Sequence, residues 1–176
     1  MPDAGSPLLV ALSGLPGSGK TTVARALATR LGAVHVRVDV IETALATSDA
    51  VSLADHPELG YRVAYALASD HLRNGISVVA DTVNPVAVTR EAWRRVAADA
   101  GARVLDVEVV CSNPAEHRRR VEERVTDIPG HEEPTWEDVV RREFEPIALG
   151  PDAVRVDTAR GSEAAVESIT RHLDER

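Results

Sequence analysis

The sequence predicts an α/β fold, a three-layer sandwich of about five mostly parallel strands with helices on both faces. Three observations lead there. The short apolar runs Leu8–Leu12 and Ile76–Ala80 have the length and hydrophobicity of buried strands, and Val104–Val110 reads as another strand. Between the strands lie segments with the helical apolar period, so successive strands need crossover connections and run parallel. The chain has 176 residues, 44% of them apolar and 27% charged, which is globular composition at about the length of one domain. No repeat or low-complexity linker divides it, so residues 1–176 are expected to form a single domain.

The elements follow in order. Leu8–Leu12 ends in Ser13-Gly14, as a buried strand entering a tight turn does. From Thr21 to Leu31 the apolar residues Val23, Ala26, Leu27 and Leu31 mark a helix, with Gly32 at its C-terminal cap. Val34, Val36, Val38 and Val40 alternate with His35, Arg37 and Asp39, which reads as a second strand ending near Asp39. A short helix over 41–46, a polar loop through Pro57 and a longer helix from Glu58 to Arg73 come next. After the strand Ile76–Ala80, a helix is expected from Pro85, in its first turn, to Ala100, with Gly101 beyond its end. Asn113-Pro114 opens a charged helix through about Arg124, and Pro129-Gly130 centres a turn-rich stretch. Residues 136–147 read as helix, Ala153–Val156 as the last strand and 162–173 as the last helix. A mobile insert, or lid, is expected at about 113–134.

Composition excludes several roles. Twenty basic and twenty-eight acidic side chains give a formal charge of -8, and aromatic residues are 3%. Both argue against coating or stacking on nucleic acid. The lone Cys111 excludes an intrachain disulfide framework. No signal-peptide pattern is present at the N-terminus, and no apolar run approaches the roughly 20 residues that span a bilayer. A soluble, cytoplasmic protein without a membrane partner is expected. Nineteen of the basic residues are Arg and one, Lys20, is Lys.

That lysine lies in Gly14-Leu15-Pro16-Gly17-Ser18-Gly19-Lys20-Thr21, a full match to G-x-x-x-x-G-K-[ST] between an apolar strand and an amphipathic helix. Glycines let backbone N–H groups turn inward around phosphate oxygens, and the helix N-terminus adds its positive dipole end. Lys20 is placed for the β- and γ-phosphates, and the Thr21 hydroxyl for Mg²⁺. The segment Gly14 to Thr22 is therefore the expected nucleotide site of a P-loop NTPase fold, with ATP and Mg²⁺ as cofactors.

Three further places bear on the fate of the γ-phosphoryl. Asp39, at a strand end on the same sheet edge, can take the proton of an attacking hydroxyl, or simply cap the next helix. Asp81 follows a hydrophobic strand, the arrangement that holds Mg²⁺; Thr82 and Asn84 beside it could contact substrate. Thr82 stands where hydrolytic ATPases carry a second carboxylate, which favours transfer to a substrate over hydrolysis. Whether Asp39 or Asp81 is the base stays open. Arg120 and Arg124, spaced i, i+4, share one face of the charged helix and could close over the phosphates, or belong to a solvated face. The turn at 127–131 would then be the lid tip.

These segments, with Val38-Asp39-Val40-Ile41, Val79-Ala80-Asp81-Thr82-Val83-Asn84 and Arg120-Val121-Glu122-Glu123-Arg124, resemble the small P-loop kinases of the AAA_33 type. That group includes zeta-toxin-like kinases, chloramphenicol phosphotransferase, polynucleotide kinase domains and gluconate kinase-like proteins. The resemblance covers roughly Leu8 to Leu173. It implies an acceptor hydroxyl activated by Asp39, lid arginines at Arg120 and Arg124, and a loop at 157–160, with Thr158 and Arg160, bordering the adenine. Arg37 departs from it, standing where a small or apolar residue is usual.

The expected function is transfer of the ATP γ-phosphoryl to a hydroxyl of a small molecule: an antibiotic or other natural product, a sugar or a nucleoside. Asp39, Arg62, Asp81 and Asn84 are the candidate acceptor contacts, with His56, Tyr61 and Tyr65 nearby. A nucleotide-binding regulatory protein or slow NTPase is the alternative, and a toxin-like kinase of nucleotide sugars a third. Because Lys20 is the only lysine, amine-selective labelling followed by peptide mass analysis is expected to modify only Lys20 and the α-amino group. ATP is expected to protect Lys20.

Overall fold

The computed structural model describes residues 5–48 and 52–175, so the N-terminal residues 1–4 and the part of the predicted polar loop at 49–51 lie outside it. Five strands form one sheet: β1 (Leu8–Ser13), β2 (Val34–Arg37), β3 (Val78–Asp81), β4 (Arg103–Val110) and β5 (Ala153–Asp157). Their order is β2-β3-β1-β4-β5, and every pairing is parallel. β1 is central and buried along its whole length. Its neighbours β3 and β4 lie on opposite sides, so the sheet changes direction at the C-terminal end of β1. Ligands of open α/β sheets bind at such a point.

Alternation along β1 divides the core in two. Leu8, Val10 and Leu12 face α1 (Lys20–Leu31) and α7 (Glu163–Asp174), packing with Val23, Leu27 and Ile169. Leu9 and Ala11 face the other way, toward Val38 of α2 (Val38–Ala46), Ala64 and Leu72 of α3 (Leu59–Arg73), and Trp93 of α4 (Ala87–Asp99). Two shorter helices, α5 (Pro114–Glu122) and α6 (Trp136–Arg141), follow β4. Among the described residues no helix is long and apolar enough to cross a membrane.

Several boundaries differ from the sequence reading; β3, for one, starts at Val78 rather than Ile76. The valine alternation does not continue to Asp39: β2 stops at Arg37, an extended N-cap, and Asp39 lies in the first turn of α2. There its carboxylate sits near the positive end of the helix, and Val38 reaches the core from a helical position. α4 begins two residues after Pro85, because a distant carboxylate opens it: Glu145 Oε2 accepts from Ala87 N at 2.9 Å. The helix expected over 136–147 ends at Arg141, since the backbone beyond it is used elsewhere. Glu145 N donates to Pro85 O (2.8 Å) and Ile147 N to Glu108 Oε2 (3.2 Å). Finally, α5 ends at Glu122, so Arg124 lies past the helix and does not share a helical face with Arg120.

β4 carries two buried carboxylates among its apolar residues. Asp106, fully buried, accepts from Arg94 Nε of α4 at 2.7 Å, and Glu108 from Arg155 Nη2 of β5 at 2.8 Å. Burial pushes the Asp106 carboxyl up, and Arg94 opposes it. Trp93, with no exposed surface, meets the edge of Tyr65 at 4.5 Å between ring centroids and is the largest fully buried side chain. Trp93→Ala is expected to cost about 3–5 kcal/mol, measured as the shift in the urea unfolding midpoint.

Candidate active site

The phosphate loop joins β1 to α1 at the switch point of the sheet. Gly14 N donates to Val83 O at 3.0 Å, tying the turn to the segment after β3. Gly17 and Gly19 have φ values of 80° and 89°, a region that side-chain-bearing residues avoid. A Cβ on Gly17 would also come within 2.5 Å of Val121 Cγ2. Gly19 is the N-cap of α1 and makes no side-chain cap, so the first amides of the helix stay open to an anion.

Helix α5 and the loop after β5 brace the phosphate loop from outside. Thr158, after β5, donates from Oγ1 to Ser18 O at 2.6 Å, and Arg120 grips the same residue, Nη1 to Oγ1 at 2.9 Å and Nη2 to the carbonyl at 2.8 Å. His117 of α5 lies 2.8 Å from Pro16 O by its Nε2 and meets Trp136 edge-on. Thr158 is 1% exposed, so its side chain supports the loop rather than facing a base. Arg160 is exposed and lines neither of the cavities described below.

Lys20 is 6% exposed. Burial pushes its ammonium pKa down, the Asp81 and Asp39 carboxylates oppose that, and Arg124 and Arg142 add to it. Asp81, at the end of β3, lies 3.3 Å from His35 Nε2. Burial alone would raise the Asp81 carboxyl; His35, Lys20 and the Thr21 hydroxyl outweigh it and hold the group below its ordinary value. An ionised carboxylate hydrogen-bonded to a hydroxyl is an oxygen donor pair that suits Mg²⁺, which keeps several waters and takes its other ligands from phosphates. Thr21 and Asp81 therefore fit the ion that the fold implies.

Two cavities meet here. One, of about 310 Å³, is walled by Gly17, Gly19, Lys20, Thr21, Thr22, Arg25, Arg37, Arg120, Arg124, Val125 and Asp127. It is concave, strongly cationic and built on the phosphate loop. The other, of about 660 Å³, is lined by Lys20, Asp39, Glu42, Tyr61, Arg62, Tyr65 and Arg124 among others, with His131 to Pro134 along one side. Lys20 and Arg124 belong to both walls.

The candidate acceptor residues divide. Asp39 and Arg62 line the larger cavity, and so do the Tyr61 and Tyr65 rings. The two phenol groups are already engaged: Tyr61 Oη accepts from Thr82 Oγ1 (2.5 Å) and Asn84 N (3.0 Å), and Tyr65 Oη donates to Thr89 O (3.2 Å). Asn84 is a correction. It is fully buried at φ 48°, with Nδ2 donating to Ser13 Oγ at 3.0 Å, and it joins β1 to the β3 loop without lining the cavity. His56 is exposed and lies outside the cavity wall. The expected lid tip is docked: Asp127 pairs with Arg25 and with Arg37 Nη1 (2.8 Å), Ile128 is buried, and His131 Nδ1 lies 3.0 Å from Thr43 Oγ1. Arg124 Nε is 3.0 Å from Glu133 Oε1.

Arg25, Arg37, Glu42 and His117 escaped the sequence reading. The i, i+3 spacing of Asp39 and Glu42 on a short helix was a legible signal for one of them. Burial, with Asp39 adding to it, pushes the Glu42 carboxyl up to about 7. Gly60 makes the burial feasible, since a Cβ there would lie 2.3 Å from Glu42 Cγ.

A glycine-turned loop, a buried lysine and a strand-end carboxylate define a P-loop nucleotide-binding protein. The chain belongs to the AAA_33 family, described as an AAA domain, which it matches over residues 9–146. It is 30% identical over 185 residues to a cytidylate kinase of Ignicoccus hospitalis, covering 94% of this chain and 98% of that one. It is 34% identical over 110 residues to a "probable adenylyl-sulfate kinase" of Aeropyrum pernix, 60% of either chain, so this match spans about three fifths of that relative's length. The APS kinase CysC of Mycobacterium tuberculosis, solved with AMPPNP and APS, shares the fold at a TM-score of 0.67, with 22% identity over 96% of this chain and 98% of that one. By family and fold the chain is a small P-loop kinase.

The raised Glu42 pKa has a consequence for stability. Its folded value of about 7 lies above the ordinary 4.5, so the neutral carboxyl favours the fold below the lower value, and that contribution is lost as pH rises to the upper one. Glu42→Gln is therefore expected to gain stability relative to the unmodified protein between about pH 5 and pH 8. Urea midpoints of both proteins at the two pH values check this; an unchanged gap contradicts it.

Proposed function

We propose that the protein transfers the γ-phosphoryl of Mg-ATP to a hydroxyl of a small organic acceptor, with Asp39 as general base. One observation carries the reading: Lys20 and Arg124 stand in the walls of both cavities, and Asp39 lines the larger one beside them. A nucleotide held by the phosphate loop would thus present its terminal phosphoryl where the cavities meet, and an acceptor hydroxyl in the larger cavity would face Asp39.

In the proposed step the acceptor oxygen attacks phosphorus in line while Asp39 takes its proton. The new O–P bond forms as the bond to the β-phosphate oxygen breaks, and ADP leaves. Thr21 and Asp81 would hold Mg²⁺, which would supply charge neutralisation at the phosphates. Lys20 and Arg124 stabilise the equatorial oxygens, and positioning with charge stabilisation accounts for most of the rate in such chemistry. Arg120 holds the loop through Thr158 in this reading, with its guanidinium still part of the phosphate-cavity wall. The segment 113–134 acts as the lid, and residues 1–176 work as one domain. The relatives named above are kinases of small molecules, which supports an acceptor of that size, and dependence on ATP fits the cytoplasm.

A panel of hydroxylated metabolites and antibiotics with γ-labelled ATP tests the reading. Lys20→Ala is expected to abolish labelled product. Asp39→Asn is expected to lower transfer by roughly 10²–10⁴-fold while ATP binding, followed by calorimetry, stays within a few-fold. Equal loss of both would make Asp39 a structural residue of the first turn of α2 alone.

A further inference from the structure

Arg37 was set apart in the sequence only as an unexpected side chain before Asp39. In the structure it is one of the most unusual groups in the protein. It closes β2 at the sheet edge shared with the phosphate loop, and it is 6% exposed. Its Nη1 donates to Asp127 at 2.8 Å, but Nε and Nη2 have no hydrogen-bond partner. Nε stands 3.9 Å from an Asp81 oxygen and 4.0 Å from an Asp39 oxygen, beyond hydrogen-bond reach of either.

Buried N–H donors are almost always paired, and a charged one is the costliest to leave unmet. Here one of the unmet donors, Nε, lies within 4.0 Å of both Asp39 and Asp81, in a side chain that lines the phosphate cavity. A guanidinium offers planar, paired N–H groups that match phosphate oxygens, and with a buried stem it needs little ordering to do so.

We infer that Arg37 is a catalytic residue that contacts the γ-phosphoryl, its Nε and Nη2 donating to a phosphoryl oxygen between Asp39 and Asp81, with Asp127 as the positioning residue that holds the fork through Nη1. The arginine acting on the migrating group is thus built into the sheet edge, and Asp127 of the lid segment holds it there. Arg120 keeps to the phosphate loop through Thr158. This rests on the phosphotransfer reading and adds a named contact to it.

The test compares AMPPNP with ADP, which differ by the terminal phosphoryl, by calorimetry with Mg²⁺. The unmodified protein is expected to prefer AMPPNP. Arg37→Met is expected to lose about 10–100-fold of that preference, the loss of a charge-assisted contact, while ADP affinity stays within about threefold. Arg37→Lys, which keeps the charge without the fork, is expected to lose part of it with an unchanged melting temperature, and stands in if the Met variant fails to fold. Asp127→Asn is expected to lose a smaller part. An unmodified protein that binds both nucleotides alike, or Arg37 variants with an intact preference, overturns the inference. So does an equal loss for both nucleotides, which would mark Arg37 as a structural tether for Asp127. Lys20→Ala separates the two levels. If it weakens both nucleotides while Arg37 variants behave as unmodified, only Arg37 is misassigned; if it weakens neither, the phosphotransfer reading itself falls.

Discussion

A single buried ammonium is the constraint around which this molecule is arranged. Lys20 is almost wholly withdrawn from solvent, and burial disfavours its charge. Asp81 at the end of β3 and Asp39 in the first turn of α2 oppose that penalty. Both carboxylates are delivered by strands or helices that begin or end at one sheet edge, so the parallel order β2-β3-β1 is what brings the counter-charges to the lysine. Charge placed this way is strong because the surroundings are dry, and it is ready for a polyanion without further rearrangement.

The same edge explains why so many contacts converge on a loop made largely of glycine. Gly17 and Gly19 turn the backbone so that amides can face an anion, but a loop rich in glycine has few side chains of its own for support. Support comes from three other segments: Val83 O, Thr158 with Arg120, and His117 with Val121. Helix α5 is therefore a brace for the phosphate loop as well as the start of the segment that reaches Asp127. Surface pairs along its outer side, such as Arg118 with Glu122, contribute little to stability in comparison.

The larger cavity differs in character. Its walls include tyrosine rings whose hydroxyls are already bonded, and Glu42, whose carboxyl is pushed up by burial. Rings with engaged hydroxyls give shape without competing for the acceptor's polar groups. Asp39 and Glu42, one helical turn apart, are two of its carboxylates, and Gly60 on the neighbouring helix leaves room for the second of them. Arg37 and Asp127 link this side to the cavity on the phosphate loop, since both line that cavity and Arg37 approaches both Asp39 and Asp81.

How much of this was legible depends on how local the determinants are. Strand and helix order, the phosphate loop and the strand-end Asp81 were readable because each is written in a few consecutive residues with a fixed period or spacing. The end of β2 was not, because alternation over Val34–Val40 is equally compatible with burial of Val38 from a helix, and packing against α3 decided it. Arg120 and Arg124 were read as one helical face until α5 ended at Glu122 and sent them to separate partners. By itself, then, the sequence determined an α/β sheet with a phosphate-binding turn, since hydrophobic periodicity and glycine conformation act over short range. Only the tertiary structure decided which charges meet: Arg37 with Asp127, Glu42 beneath Gly60 and His117 on the loop are contacts between residues far apart in the chain, and electrostatic and steric forces act through space.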